Sequence, residues 1–328
     1  NAVANLDKMN VAKLIDIDMY TLNDILDAFN NNLSRYPNNK LTNIDNKVYT
    51  YGEGAFIANK IAEELKNLGV NSQDHVAFLV NRSGIYLFSI LSIMSVGAIY
   101  IPLDNTIPDE RIGSILKDTS PKAIIVSNET YERAERLSEN CAVLNIDNIL
   151  KQDIGTLSKL DVEYGDLACV LYTSGTTGLP KGVNITRKAV VNMSSYYVDT
   201  YGLSNEDNYG LFANIGFDAG SHAILTSLYA GASLSVVPMD IRLDMVKLND
   251  YFIKQGVTQT FMTTQVGKLF VQSASDALLD VLVVGGEKSG EFRSPEDYDL
   301  YLLLLKIILK RLFHHLLVVW YIIQRLIF

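Results

Sequence analysis

The stretch Tyr172-Thr173-Ser174-Gly175-Thr176-Thr177-Gly178-Leu179-Pro180-Lys181-Gly182 decides how the rest of this chain is read. Four small hydroxyl side chains, three glycines and one lysine fall within these eleven residues, directly after the apolar run 167–171. A backbone that wraps closely around oxyanions needs glycines, which reach positive φ without a Cβ penalty. Hydroxyls and free amides donate hydrogen bonds, and a lysine adds a point charge. The combination predicts a phosphate-holding loop. A Walker loop is excluded, because that motif ends in Gly-Lys-Ser/Thr, whereas here Pro180 precedes the lysine and Gly182 follows it. The plainer alternative is a polar surface turn, which draws on the same residue types.

The string resembles, in full, the signature loop of adenylate-forming enzymes, Tyr-Thr-Ser-Gly-Thr-Thr-Gly-x-Pro-Lys-Gly. Within that superfamily the chain is most similar to nonribosomal peptide synthetase adenylation domains. Val96-Gly97-Ala98-Ile99-Tyr100-Ile101-Pro102-Leu103-Asp104, followed by Pro108 and Glu110-Arg111-Ile112, resembles the family's second core motif. There Gly97 is expected to end a helix and Pro102 to end an edge strand. Val48-Tyr49-Thr50-Tyr51-Gly52-Glu53 is a weaker match to the first motif, with Gly54 where a leucine is usual. The resemblance covers about residues 20–301.

Composition sets bounds. The 328 residues suffice for one large or two medium domains, and 48% hydrophobic with 20% charged residues is ordinary for a globular protein and argues against disorder. A net charge of −9 disfavours nucleic acid, which selects a basic surface. The two cysteines, Cys141 and Cys169, cannot build a disulfide framework and are expected as buried thiols in a reducing, cytoplasmic setting. No signal peptide is read, and Asn1 in first place suggests a segment of a longer protein.

Periodicity predicts an amphipathic helix with Leu22, Ile25, Leu26 and Phe29 on one face, then a hairpin, 41–44 and 47–51, turning at Asp45-Asn46. Thr50 and Glu53 have capping-box spacing before a helix carrying Ile57, Ile61, Leu65 and Leu68, closed by Gly69. Strands are expected at 75–80, 98–103, 123–127, 142–146 and 167–172, with helices at 85–96 and 129–137 among them. The second half repeats the pattern, with strands at 210–214, 232–237, 258–262 and 281–284 and helices at 188–200, 219–229, 243–255 and 265–272. This βαβ order predicts two largely parallel sheets with flanking helices, the N-terminal core of the adenylate-forming fold, and a signature loop between them.

The resemblance implies the chemistry. A carboxylate joins the α-phosphate of ATP and pyrophosphate leaves, so donors and cations aimed at phosphate oxygens carry the rate. Thr173, Ser174, Gly175, Thr176, Thr177, Gly178 and Lys181 would hold the β- and γ-phosphates, and Thr177 would help ligate Mg²⁺. Gly285, Gly286 and Glu287 would form the turn under the adenine. Asp218, in Phe217-Asp218-Ala219-Gly220, would pair with a substrate ammonium, because a buried cation is expensive unless paired. Its plainer role is a helix N-cap, and the two are compatible. Gly220 stands where relatives often carry serine. Ala219, His222, Phe261, Val283 and Gly285 would line a small apolar side-chain pocket. A hydrophobic amino acid, ATP and a phosphopantetheine carrier domain in the full-length protein are the partners implied.

Past Tyr301 the family's Asn-x-Tyr-Gly-Pro-Thr-Glu motif, whose glutamate helps hold Mg²⁺, is not found, nor are the ribose-binding aspartate and the lid lysine. Instead 302–328 is Leu- and Ile-rich with a charge of +4, against −13 for the preceding chain. The expected layout is therefore an incoming linker, 1–20, an incomplete adenylation core, 21–301, and an aberrant tail, 302–328, read as a shifted frame. The third subdomain and lid would then be missing, and this chain inactive alone. The tail's longest uncharged apolar run, 316–323, is too short to span a bilayer. Lys306, Lys310 and His314 leave a membrane-surface helix open. Two functional alternatives also stand, a non-catalytic nucleotide-binding remnant and an acyl-CoA-synthetase-like ligase.

Overall fold

The computed structural model describes residues 24–286, apart from 46, 139–140, 175–179 and 274–278. Asp24 caps α1 (Ile25–Arg35), its Oδ1 accepting from the Leu26 amide at 2.9 Å, and the helix buries Ile25, Leu26, Phe29 and Leu33. Leu22 and the segments 1–20 and 302–328 lie outside the described residues. The strands β1 (Lys40–Ile44) and β2 (Lys47–Thr50) pair as the expected hairpin, with Asp45 at φ 53°. Thr50 and Glu53 complete a capping box on α2 (Tyr51–Asn67). Leu68 departs from expectation: it is the C-cap residue, beyond the last turn, and 41% exposed.

The chain then alternates through β3 (His75–Val80), α3 (Ile85–Ser95), β4 (Ile99–Asp104), α4 (Asp109–Thr119), β5 (Ala123–Val126), α5 (Tyr131–Leu137), β6 (Ala142–Asn145) and the short α6 (Asp147–Leu150). A hairpin of β7 (Leu167–Ser174) and β8 (Pro180–Thr186) leads into α7 (Arg187–Tyr201). There follow β9 (Asn208–Leu211), α8 (Asp218–Ala230), β10 (Ser233–Val236), α9 (Met245–Gln255), β11 (Gln259–Thr263), α10 (Thr264–Ser273) and β12 (Val281–Gly285).

Two six-stranded sheets result, ordered β6-β5-β3-β4-β7-β8 and β12-β11-β9-β10-β1-β2. Neighbours are parallel except at one edge of each, where β8 and β2 run antiparallel. Period-two alternation sorts side chains between faces. Val76, Phe78 and Val80 of β3 join the core between the sheets, while Ala77 and Leu79 join the outer core under α4 and α5. Likewise Val281 and Val283 of β12 face inward, and Leu282 and Val284 pack under α9 and α10. The inner layer holds α1, α2, α3, α7 and α8; every residue of α3 is buried.

Three readings need correction. Pro102 lies within β4, an interior strand rather than an edge. Pro102 is registered with Phe78 of β3, and the β4–β7 pair Tyr100↔Cys169 lies two residues before it. The segment 180–186 is a strand, so the signature loop joins two antiparallel strands at the edge of the first sheet. Cys141 is only half-buried, whereas Cys169 is buried in the core, which pushes its thiol up to about 12.

Candidate nucleotide and acid site

The signature hairpin is registered Tyr172↔Gly182, Thr173↔Lys181 and Ser174↔Pro180. Gly182 is required by its partner: an added Cβ would lie 2.9 Å from Val170 Cγ1 and 3.1 Å from Tyr172 Cζ. With that space free, the Tyr172 hydroxyl donates to Asp118 Oδ2 of α4 at 2.5 Å, and burial with the adjacent carboxylate pushes the phenol's pKa up. Thr173 shares the face of Leu171, toward the inner layer, and its Oγ1 is buried with no partner among the described residues. A buried hydroxyl without a partner costs about 1–3 kcal/mol, so the site suits an added acceptor. Lys181 is exposed. Gly175, Thr176, Thr177, Gly178, Glu287 and the Ser174 side chain lie outside the described residues.

The second group gathers at the carboxyl ends of adjacent parallel strands. β9 runs into a connector, 212–217, that ends at Asp218, the first residue of α8. Beside β9 lies β11 with Phe261, and beside β11 lies β12, where Phe261↔Val283 and Thr263↔Gly285 are registered. Val283 packs in the inner core, Phe261 packs against it, and Gly285 has the same parity as Val283. Gly286 follows at φ +92°, a conformation that favours glycine. Asp218 is exposed and its Oδ1 accepts from the Ala219 amide at 2.8 Å. The cap residue itself is Phe217, which has no side-chain cap bond, so the plain N-cap reading shifts by one position. Ala219 and His222 are half-buried. The His222 imidazole meets the Tyr197 ring edge-on at 5.0 Å, and burial pushes its pKa down to about 4, so it is neutral near pH 7.

Gly220 has a structural reason. A Cβ there would stand 2.2 Å from the Asn214 carbonyl oxygen, so the connector closes onto the first turn of α8 only over a glycine. Sequence reading missed Arg82, in the turn after β3, which donates to four carbonyls at or just past the carboxyl ends of β9 and β10. Asn81-Arg82-Ser83 carries no local signal beyond a polar turn, because its partners lie 129 to 155 residues away.

Magnesium is implied by the family. Among the described residues no group of three or more His, Cys, Asp or Glu could hold a metal ion. The described residues therefore do not fit a protein-built magnesium cage. Magnesium that travels with a nucleotide draws most of its ligands from phosphates and water.

The structure is an α/β core of two six-stranded, largely parallel sheets, with the β7–β8 hairpin at the edge of one. The chain belongs to the AMP-binding enzyme family, whose sequence model matches residues 29–291. It is 32% identical over 265 residues to surfactin synthase subunit 2 of Bacillus subtilis, covering 79% of this chain and 7% of that protein. To bacitracin synthase 1 of Bacillus licheniformis it is 31% identical over 267 residues, 81% of this chain and 5% of that one. The chain thus spans a small fraction of these relatives' length. Among solved structures, the Klebsiella oxytoca NpsA N-terminal subdomain in complex with 3-hydroxybenzoyl-AMSN superposes with a TM-score of 0.69 at 26% identity. That match covers 81% of this chain and 67% of that one. The four-domain nonribosomal peptide synthetase holo-AB3403, bound to AMP and glycine, shares the fold with a TM-score of 0.71 at 24% identity, over 84% of this chain and 20% of that one. The fold is that of the N-terminal subdomain of nonribosomal peptide synthetase adenylation domains. Among the described residues no helix is long and apolar enough to cross a membrane.

Proposed function

We propose that this chain is part of an amino-acid-activating adenylation domain, which joins an amino acid to AMP for loading onto a carrier domain of a larger synthetase. The substrate carboxylate oxygen attacks the α-phosphorus of ATP, the bond to the β-phosphate breaks, and pyrophosphate leaves. Thr173, Ser174, Gly175, Thr176, Thr177, Gly178 and Lys181 hold the phosphates. Gly285, Gly286 and Glu287 lie under the adenine, and Asp218 takes the substrate ammonium. Ala219, His222, Phe261, Val283 and Gly285 face a hydrophobic side chain. Residues 21–301 supply this core.

The observation that carries the reading is Asp218, an exposed carboxylate where the connector from the carboxyl end of β9 enters α8, in a chain of the AMP-binding enzyme family. A substrate without an ammonium has no need of that charge. The test is ATP–pyrophosphate exchange by the full-length gene product across a panel of amino acids. Exchange with one or a few hydrophobic amino acids is expected, and none with any amino acid would contradict the reading. Exchange driven equally by fatty or aryl acids would instead favour an acyl ligase.

A further inference from the structure

Arg82 leaves the first sheet and binds main chain of the second. Its Nε donates to Val237 O at 2.6 Å, Nη1 to Ala213 O at 2.8 Å, and Nη2 to Phe212 O at 2.9 Å and to Leu211 O. Val237 follows β10, and Leu211, Phe212 and Ala213 lead from β9 into the connector that delivers Asp218. Among the described residues no carboxylate forms an ion pair with Arg82. A planar fork of fixed donors used wholly on carbonyls immobilises main chain in a way a flexible ammonium does not. The far end of the connector is also held. Asn214 Oδ1 accepts from the Gly216 amide at 2.9 Å, Asn214 O accepts from the Phe217 amide at 3.1 Å, and Gly220 lies against Asn214.

We propose that Arg82 is a positioning residue: by fixing the carbonyls of Leu211, Phe212, Ala213 and Val237 it registers the end of the second sheet that carries Asp218 against the first sheet, which carries the phosphate hairpin. The inference rests on the amino-acid-activating reading. In that reaction the two reacting groups are held by different sheets, yet they must meet within about 3–3.5 Å, and a displacement of about 1 Å can cost about a hundredfold. A tie at the site end of β3 sets that distance where packing deep in the core does not.

The test compares the wild-type 328-residue chain with Arg82→Lys and Arg82→Met by amide hydrogen exchange and by titration with ATP and with hydrophobic aminoacyl-sulfamoyl-adenosines. In Arg82→Lys, exchange over 213–220 is expected to quicken about tenfold while β3 and β12 stay unchanged. Affinity for the aminoacyl analogue is expected to fall about ten- to a hundredfold, with ATP affinity altered less than about threefold. Unchanged exchange over 213–220 would overturn the proposal. So would equal losses for ATP and the analogue, or failure of Arg82→Lys itself to fold, since either marks a general core residue. If Arg82→Met does not fold, Arg82→Lys carries the comparison. If the wild-type chain binds ATP and no aminoacyl analogue, the amino-acid reading fails on its own, and the exchange result alone then upholds or overturns the role of Arg82.

Discussion

The two sheets contain the same device used in two ways. At the edge of each, an antiparallel hairpin ends in a threonine that caps the following inner-layer helix. Thr50 Oγ1 accepts from Glu53 N at 3.2 Å after β1–β2, and Thr186 Oγ1 accepts from Ala189 N at 3.1 Å after β7–β8. The connections differ. Between β1 and β2 stand two polar residues, Asp45 and Asn46; between β7 and β8 stand the five residues 175–179 of the glycine-rich stretch. The first hairpin also tightens its helix start with the reciprocal Glu53 bond, whereas α7 opens on Arg187, buried and paired with Asp24 at 3.1 Å. Architecture is shared, and the two hairpins differ in the connection.

The comparison can be broken most severely at Arg187. Arg187→Met would leave Asp24 buried and unpaired, at a cost of about 3–5 kcal/mol in urea unfolding. A loss under about 1 kcal/mol would show that the ion pair does not anchor the second hairpin. Next comes pH. Since the His222 pKa is about 4 folded against 6.5 unfolded, stability is full above pH 6.5 and falls as pH drops toward 4. The decline approaches about 3 kcal/mol, and His222→Phe should flatten it. Removing the unpartnered hydroxyl by Thr173→Ala should lower exchange activity of the full-length protein about a hundredfold. Val48→Ala, at an exposed site on the other hairpin, should leave activity alone. Gly182→Ala, crowding Val170 and Tyr172, should cost about 1–3 kcal/mol in thermal unfolding. Thr50→Ala should cost about 1 kcal/mol, and Thr186→Ala less, because Ala189 returns no bond.

Much of the fold was legible because the local signals agree. Periodicity places every strand from β3 to β7 and from β10 to β12 within two residues at each end, β9 ends three residues earlier than expected, and two residues suffice to name the capping box of α2. What failed was non-local. In β8 the alternation of Val183 and Ile185 is short and adjoins the glycine-rich stretch, and that strand forms by pairing with β7. Nothing in residues 40–44 says that β1 joins β10, 192 residues away, through Thr42 Oγ1 donating to Leu234 O. The site divides in the same way. The signature stretch is legible as a string because its residues are contiguous. Arg82 and the Tyr172–Asp118 bond are not, because carbonyls and a distant carboxylate leave no mark on the sequence around them. Gly220, which looked like a departure from the family, is explained only by the approach of Asn214.

The central claim is that Asp218 makes this an amino-acid site. It is tested most directly by titrating the chain with a matched pair, a hydrophobic aminoacyl-sulfamoyl-adenosine and the same molecule lacking its α-amino group. Tighter binding of the amino form by about tenfold or more, abolished by Asp218→Asn, is the expected result. Equal affinity for the two, or a preference that survives Asp218→Asn, would contradict it.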